Sequence, residues 1–205
     1  MSLNNESRVR LIECAKKEFL EKGFARASLR NICAEAGLTT GAVYFLFKDK
    51  NGLLGAIVDE PLHKIQELML LHFSAEQKED FSTYQQRDGD HDQFAQELID
   101  IMYDNYDAMR ILLDKSQGSA YENIVDKFIG TTDKYYIELA QNYSNTVPGK
   151  RVNLYMLHWF SHIQIEAFVH LLTHESDRNK ALRNIRTVID FLVRGWMMYI
   201  LEDDK

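Results

Sequence analysis

Two prolines and ten glycines in 205 residues are too few to punctuate a sheet-rich chain with turns, so the sequence points to a protein built mostly of helices. Cysteine is equally scarce. Cys14 and Cys33 both fall inside helical patterns, which argues against a disulfide framework and reads as two small buried thiols in a reducing compartment. No apolar run approaches the ~18 residues that a bilayer span requires; the longest, 53–58 and 196–201, fall far short. The first residues lack the apolar stretch of a signal peptide, so a cytoplasmic location is expected, with no membrane partner. An overall surplus of positive charge is also missing, the formal net charge being −7. Its distribution is uneven, however. Residues 1–50 hold nine Lys/Arg against six Asp/Glu, a net of +3, whereas residues 51–205 hold fifteen against twenty-five, a net of −10. Only the N-terminal quarter is suited to face a polyanion.

What the chain does contain is helical periodicity. Val9, Ile12, Ala15, Phe19 and Leu20 predict a helix over 5–22 that stops at Gly23. Ser28 stands at an N-cap position, where its hydroxyl can accept from the amides of Arg30 or Asn31. Leu29, Ile32, Cys33 and Ala36 give the next helix a short apolar face, and Gly37 ends it in the left-handed conformation that glycine tolerates. Leu38 is expected to plug the crevice between two helices, with Thr39 capping a third helix that carries Ala42, Val43, Phe45, Leu46 and Phe47. One long helix follows to about residue 73, kinked at Pro61. The polar run 74–92, aperiodic apart from Phe81 and Tyr84, reads as a loop. Beyond it, helices are predicted over 93–115, 121–143 (with a break near Gly130), 152–173 and 178–201. A turn is expected at 145–150, and no strand-length alternation appears. The fold class is all-α.

A helix, a tight glycine turn and a second helix within twenty residues suit a DNA-binding helix-turn-helix, whose second helix enters the major groove. Small polar residues must open that helix, and Thr39, Thr40 and Gly41 do so. Tyr44 can reach a phosphate with its hydroxyl, Phe45 turns partly toward DNA, and Val43 and Phe47 face inward. Lys48 and Lys50 supply charge at the groove edge, where phosphate contacts dominate affinity.

Over 23–54, GFARASLRNICAEAGLTTGAVYFLFKDKNGLL, the sequence resembles the TetR family of one-component transcriptional regulators. The resemblance implies an N-terminal three-helix helix-turn-helix domain, residues 1–50, followed by a larger helical ligand-sensing and dimerisation domain, residues 51–205. It implies backbone phosphate contacts from Ser28 and Arg30, base contacts from Thr39, Thr40, Gly41 and Phe45, and a phosphate clamp from Tyr44, Lys48 and Lys50. Leu46 departs from the His or Tyr common in the family, and Gly52 replaces a helix-favouring residue at what should be small cost. The implied protein is a homodimeric repressor, not an enzyme and without a cofactor. It would bind a roughly palindromic double-stranded operator and be released by an unknown small-molecule effector.

The rest of the chain is less specific. Tyr103, Tyr106, Met109, Phe128, Tyr135, Tyr136, Trp159 and His162 are candidates to line a ligand cavity, although Met and aromatic residues at helical spacing also make ordinary core. In the family the last two helices form the dimer interface, which would place Ile165, Phe168, Leu172, Ile189, Leu192 and Trp196 there, with Gly195 allowing close helix approach. His158, His162, Glu166, His170 and His174 recur every four residues, but the stripe drifts ~40° per step, so all five cannot meet one ion and no metal ligand is assigned. Two rival readings stay open. A di-metal carboxylate bundle needs paired Glu-x-x-His motifs, and only Glu60 to His63, straddling Pro61, is present. A DNA-binding protein without a ligand is the other.

Overall fold

Leu11, Ala15 and Phe19 are fully shielded from solvent along one face of the first helix, α1 (Leu3–Arg26). The structure, a computed structural model, describes residues 3–77 and 90–204. Among these residues α1 is followed by α2 (Leu29–Glu35), α3 (Thr40–Phe47), α4 (Lys50–Glu76), α5 (Asp90–Asp104), α6 (Tyr106–Asp114) and α7 (Ile124–Ser144). Strand β1 (Lys150–Val152), helices α8 (Leu154–His174) and α9 (Arg178–Tyr199), and strand β2 (Leu201–Asp203) complete the order. The all-α class holds, with one departure from the sequence reading. β1 and β2 pair antiparallel as a short ribbon, Lys150 opposite Asp203 and Arg151 opposite Glu202, each couple joined by an ion pair. No helix among the described residues is long and apolar enough to cross a membrane.

The chain divides into two compact units, Met1–Lys64 with Met102–Ile124, and Ile65–Ile101 with Val125–Lys205. This differs from a division after residue 50. The first unit keeps the opening of α4 and recruits α6 from far along the sequence. The helix expected over 93–115 is in fact two, α5 and α6, separated at Asn105 (φ −121°, ψ 35°).

In the first unit, α1 is interrupted at Gly23 (φ 72°, ψ 159°), where the sequence placed its stop. The apolar face runs through Leu11, Cys14, Ala15 and Phe19, while Val9, expected inside, is 52% exposed. Residues 9 and 11 lie about 200° apart around a helix, so the two cannot share one face. The 102–124 segment is tied in by hydrogen bonds from the Phe24 amide to the Lys115 carbonyl (2.8 Å) and from the Ala120 amide to Asn51 Oδ1 (2.8 Å). The Tyr121 hydroxyl donates to Asp59 Oδ1 at 2.6 Å. Burial first, then the Asp59 hydrogen bond and charge, push that phenol far above its ordinary range, so it stays a donor.

In the second unit, Leu139, Leu157, Phe160, Leu192 and Trp196 form the core where α7, α8 and α9 meet. Gly195 does permit close approach: a Cβ there would stand 3.1 Å from the Phe160 ring. Gly130 does not break α7. The expected loop 74–92 is helical at both ends, Ser74–Glu76 closing α4 and Asp90–Asp92 opening α5; residues 78–89, including Phe81 and Tyr84, lie outside the described residues.

Gly52, expected to matter little, is sterically required. A Cβ at this position would lie 1.8 Å from the Phe47 carbonyl oxygen, a backbone atom that cannot swing aside. Replacing an ordinary exposed helical Gly by Ala stabilises by up to ~1 kcal/mol. Here the sign should reverse. Gly52→Ala is expected to destabilise the protein by about 1–3 kcal/mol, read as a lower urea midpoint at unchanged slope.

Candidate nucleic-acid interface and ligand pocket

The geometry of α3 begins with how α2 ends. The Gly37 amide donates to the Ala34 carbonyl (3.2 Å) and the Leu38 amide to the Cys33 carbonyl (2.8 Å), with Gly37 at φ 67°. These two bonds are the Schellman pattern, and the positive φ explains the glycine. They end α2 within one residue and let α3 start at Thr40. At the other end of α2, the Ser28 hydroxyl accepts from the Asn31 amide at 3.4 Å, the cap expected from the sequence. Thr39 occupies the N-cap position of α3, but its side chain makes no capping bond.

The faces of α3 separate as the sequence implies. Val43 and Phe47 are buried, whereas Tyr44 and Phe45 are 60% and 76% exposed. Thr39, Thr40, Gly41 and Lys48 are exposed on the same helix and its ends, and Arg30 is exposed on α2. A helix about 10–12 Å across matches a major groove about 12 Å wide. Lys50 differs from this pattern. Its ammonium lies 4.6 Å from the centre of the Phe24 ring, and burial pulls its pKa down against the opposing charge of Glu18. Of the two lysines read as a phosphate clamp, Lys48 is the one turned to solvent. Its backbone sits at φ 72°, ψ −51°, the only non-glycine positive φ among the described residues.

One carboxylate that the sequence reading missed holds this arrangement. Glu18, 7% exposed, accepts from Lys22 Nζ (2.9 Å to each oxygen), the Ser28 amide (3.0 Å) and Asn31 Nδ2 (3.5 Å). The Glu18–Lys22 spacing of four residues was the available signal, but such pairs are usually solvated. Arg8 Nη1 also donates to the Leu46 carbonyl (3.5 Å), and its guanidinium covers the Phe47 ring at 4.6 Å.

The second unit contains an open pocket lined by Phe94, Tyr136, Phe160, Trp196 and the polar side chains of His72 and Gln164, among others. Of the ligand residues expected from sequence, Tyr136 lines it and the other seven do not. Tyr103, Tyr106 and Met109 belong to the first unit, Met109 within its core. Phe128 is buried elsewhere in the second unit, Tyr135 stacks on Phe73 (4.5 Å between centroids), Trp159 is exposed, and His162 meets His158. Helical spacing identified apolar positions but not which face surrounds a void. Tyr136, which donates to Gln164 Oε1, has its phenol pushed well up, by burial foremost and then by the charge of Glu76.

The residues expected at a dimer interface sit as follows in the single chain. Phe168, Leu172, Leu192 and Trp196 are buried within a single chain, Ile165 and Ile189 are partly buried, and Ile189, Leu192 and Trp196 line the pocket. The exposed large apolar side chains of α8 and α9 are Leu154, Tyr155, Trp159, Phe191, Met198 and Tyr199.

Residues 11–57 match the family described as bacterial regulatory proteins, tetR family. The chain is 39% identical over 62 residues to the HTH-type transcriptional regulator TtgR of Pseudomonas putida, covering 30% of this chain and 29% of TtgR. It is 35% identical over 65 residues to the HTH-type transcriptional repressor BepR of Brucella suis, covering 32% and 31%. These matches span under a third of the curated relatives' length. The fold is similar, at TM-score 0.59 and 19% identity, to that of a transcriptional regulator from Aquifex aeolicus, over 91% of this chain and 99% of that one.

The buried carboxylate makes the first unit acid-sensitive. Burial alone would raise the Glu18 pKa, but the Lys22 and Ser28 hydrogen bonds outweigh it and hold the group below its ordinary 4.5. A depressed folded-state pKa means the stabilisation is complete above the unfolded value and is lost as pH falls through the folded one. Stability from denaturant titration should therefore fall as the pH drops below the ordinary carboxylate value of 4.5. Glu18→Gln should be less stable at neutral pH and show a flatter acid limb.

Proposed function

We propose, from the match of residues 11–57 to the tetR family of bacterial regulatory proteins, a homodimeric DNA-binding transcriptional repressor that leaves its operator when a small molecule occupies the pocket of the second unit. The observation that carries this reading is the exposed row Thr39, Thr40, Gly41, Tyr44, Phe45 and Lys48 on and around a helix whose opposite face is locked into the core. The small residues let the helix approach base edges, Tyr44 and Lys48 reach phosphates, and Arg30 adds a contact from α2. Ser28, whose hydroxyl caps α2, and Lys50, folded over Phe24, keep weaker claims to phosphate. Repression rather than activation follows the name of BepR.

The pocket is the seat proposed for the effector, since it is concave, largely apolar and fitted with a few polar groups. Dimerisation is proposed through the exposed Tyr155, Trp159, Phe191 and Met198, a set of large apolar side chains that a second copy would cover. Phe191→Asp is expected to shift the protein to monomer in sedimentation and to abolish cooperative protection of two half-sites. Unchanged dimer mass would place the interface elsewhere.

The direct test is footprinting on the DNA upstream of its own gene, where two half-sites about 34 Å apart should be protected. Lys48 separates function from stability. A non-glycine residue at its backbone angles stores about 1–3 kcal/mol of strain. Lys48→Gly should therefore raise folding stability modestly while weakening operator and non-operator binding alike, and it should flatten the salt dependence by about one unit. Thr40→Ala should leave the salt slope and change base preference. If Lys48→Gly left the salt slope as in wild type, the phosphate role would be wrong.

A further inference from the structure

Asp133 on α7 and His158 and His162 on α8 form an arrangement that DNA binding does not use. His158 Nδ1 lies 2.6 Å from Asp133 Oδ2. A carboxylate can only accept, so the imidazole N–H donates, and in the neutral ring this fixes the tautomer and leaves the lone pair of His158 on Nε2. One turn along α8, His162 Nε2 lies 3.2 Å from that atom, the two rings crossing at 85°. Two imidazole nitrogens bound at ~2.0–2.1 Å to one tetrahedral ion stand about 3.3 Å apart.

We propose that His158 and His162 are the protein ligands of a site for an imidazole-favouring divalent metal ion of the zinc, copper and nickel group, with Asp133 orienting His158. The carboxylate–histidine–metal order is the usual way a protein sets the ligand's ring and raises its basicity. Asp133 is well suited to it, because its second oxygen, Oδ1, is buried without a hydrogen-bond partner and its charge acts on His158 undivided. The ion takes the place of the proton between the two Nε2 atoms, and that proton moves to Nδ1 of His162. Among the described residues no group of three metal-binding side chains gathers, so water completes the coordination. The next pair on the same stripe shows that spacing alone does not produce this geometry. His170 and His174 stack at 4.1 Å and 21°, and His174 Nδ1 lies 2.9 Å from both the His170 carbonyl and the Thr173 hydroxyl. The proposal is independent of the regulatory reading, since its readout is metal binding itself.

Metal-free full-length protein titrated with Zn²⁺ in a calorimeter should show saturable binding, with a rise in thermal midpoint. His158→Gln and His162→Gln should each weaken it at least about tenfold, and Asp133→Asn by about 10–100-fold. His174→Gln should match wild type, and Mg²⁺, a hard cation, should give no signal. On unmutated protein, the imidazole resonances of His158 and His162 should shift with Zn²⁺ before those of His170 and His174, a readout that does not depend on any variant folding. Absence of Zn²⁺ binding overturns the proposal. So does wild-type affinity in His162→Gln, an equal loss in His174→Gln, or first shifts at His170 and His174; the Nε2 pair would then be an ordinary N–H···N hydrogen bond.

Discussion

The exposed face of α3 depends on a carboxylate that is itself hidden. Burying an ionised Glu costs several kcal/mol unless its lone pairs are satisfied, and Glu18 satisfies them with groups that matter elsewhere. The Ser28 amide and the Asn31 side chain both belong to the start of α2, ten and thirteen residues away. The same Asn31 donates its backbone amide to the Ser28 hydroxyl. The first turn of α2 is therefore held from within by its cap and from outside by α1. With only Ala36–Thr39 between α2 and α3, fixing one helix fixes the direction of the other.

The far end of α3 is constrained differently, by crowding rather than charge. Lys48 adopts its unfavourable backbone angles, its amide donates to the Tyr44 carbonyl (3.2 Å), and Asp49 Oδ1 accepts from the Gly52 amide (2.8 Å). Gly52 then passes the Phe47 carbonyl at a distance no side chain could survive. Each of these features would relax alone. Together they over-determine a two-residue link between α3 and α4, which is the condition under which local strain persists. A link that short and stiff keeps the Lys48 side chain at the edge of the α3 surface.

The parts of this structure that could be read from sequence are those set within one or two helical turns. The Gly23 interruption, the Ser28 cap, the Gly37 turn and the inward and outward sorting of Val43, Tyr44, Phe45 and Phe47 all follow from local sterics and hydrogen bonding. What could not be read depends on partners distant in sequence. Lys50 looks like a groove-edge cation until Phe24 lies beneath it, and Gly52 looks like a tolerated weakness until the Phe47 carbonyl stands beside it. The β-ribbon joins residues about fifty positions apart through three-residue strands, too short to show alternation. Apolar spacing along α8 and α9 cannot distinguish a helix face against its own chain from one left open, and Leu192 and Trp196, which the resemblance places at a dimer interface, are buried within the single chain.

The division into two units also has a local physical origin. The chain passes from one to the other at Lys64/Ile65, Ile101/Met102 and Ile124/Val125. Each passage falls within four residues of a place where the helical hydrogen-bond ladder is incomplete. Pro61 has no amide to offer Ile57, Asn105 leaves helical angles, and Ile124 is the first residue of α7. An unbroken α-helix carries its register along its whole length, so a boundary between separately packed units is least costly where the ladder is already interrupted. In α4 the buried proline removes one bond yet leaves the helix continuous from Lys50 to Glu76.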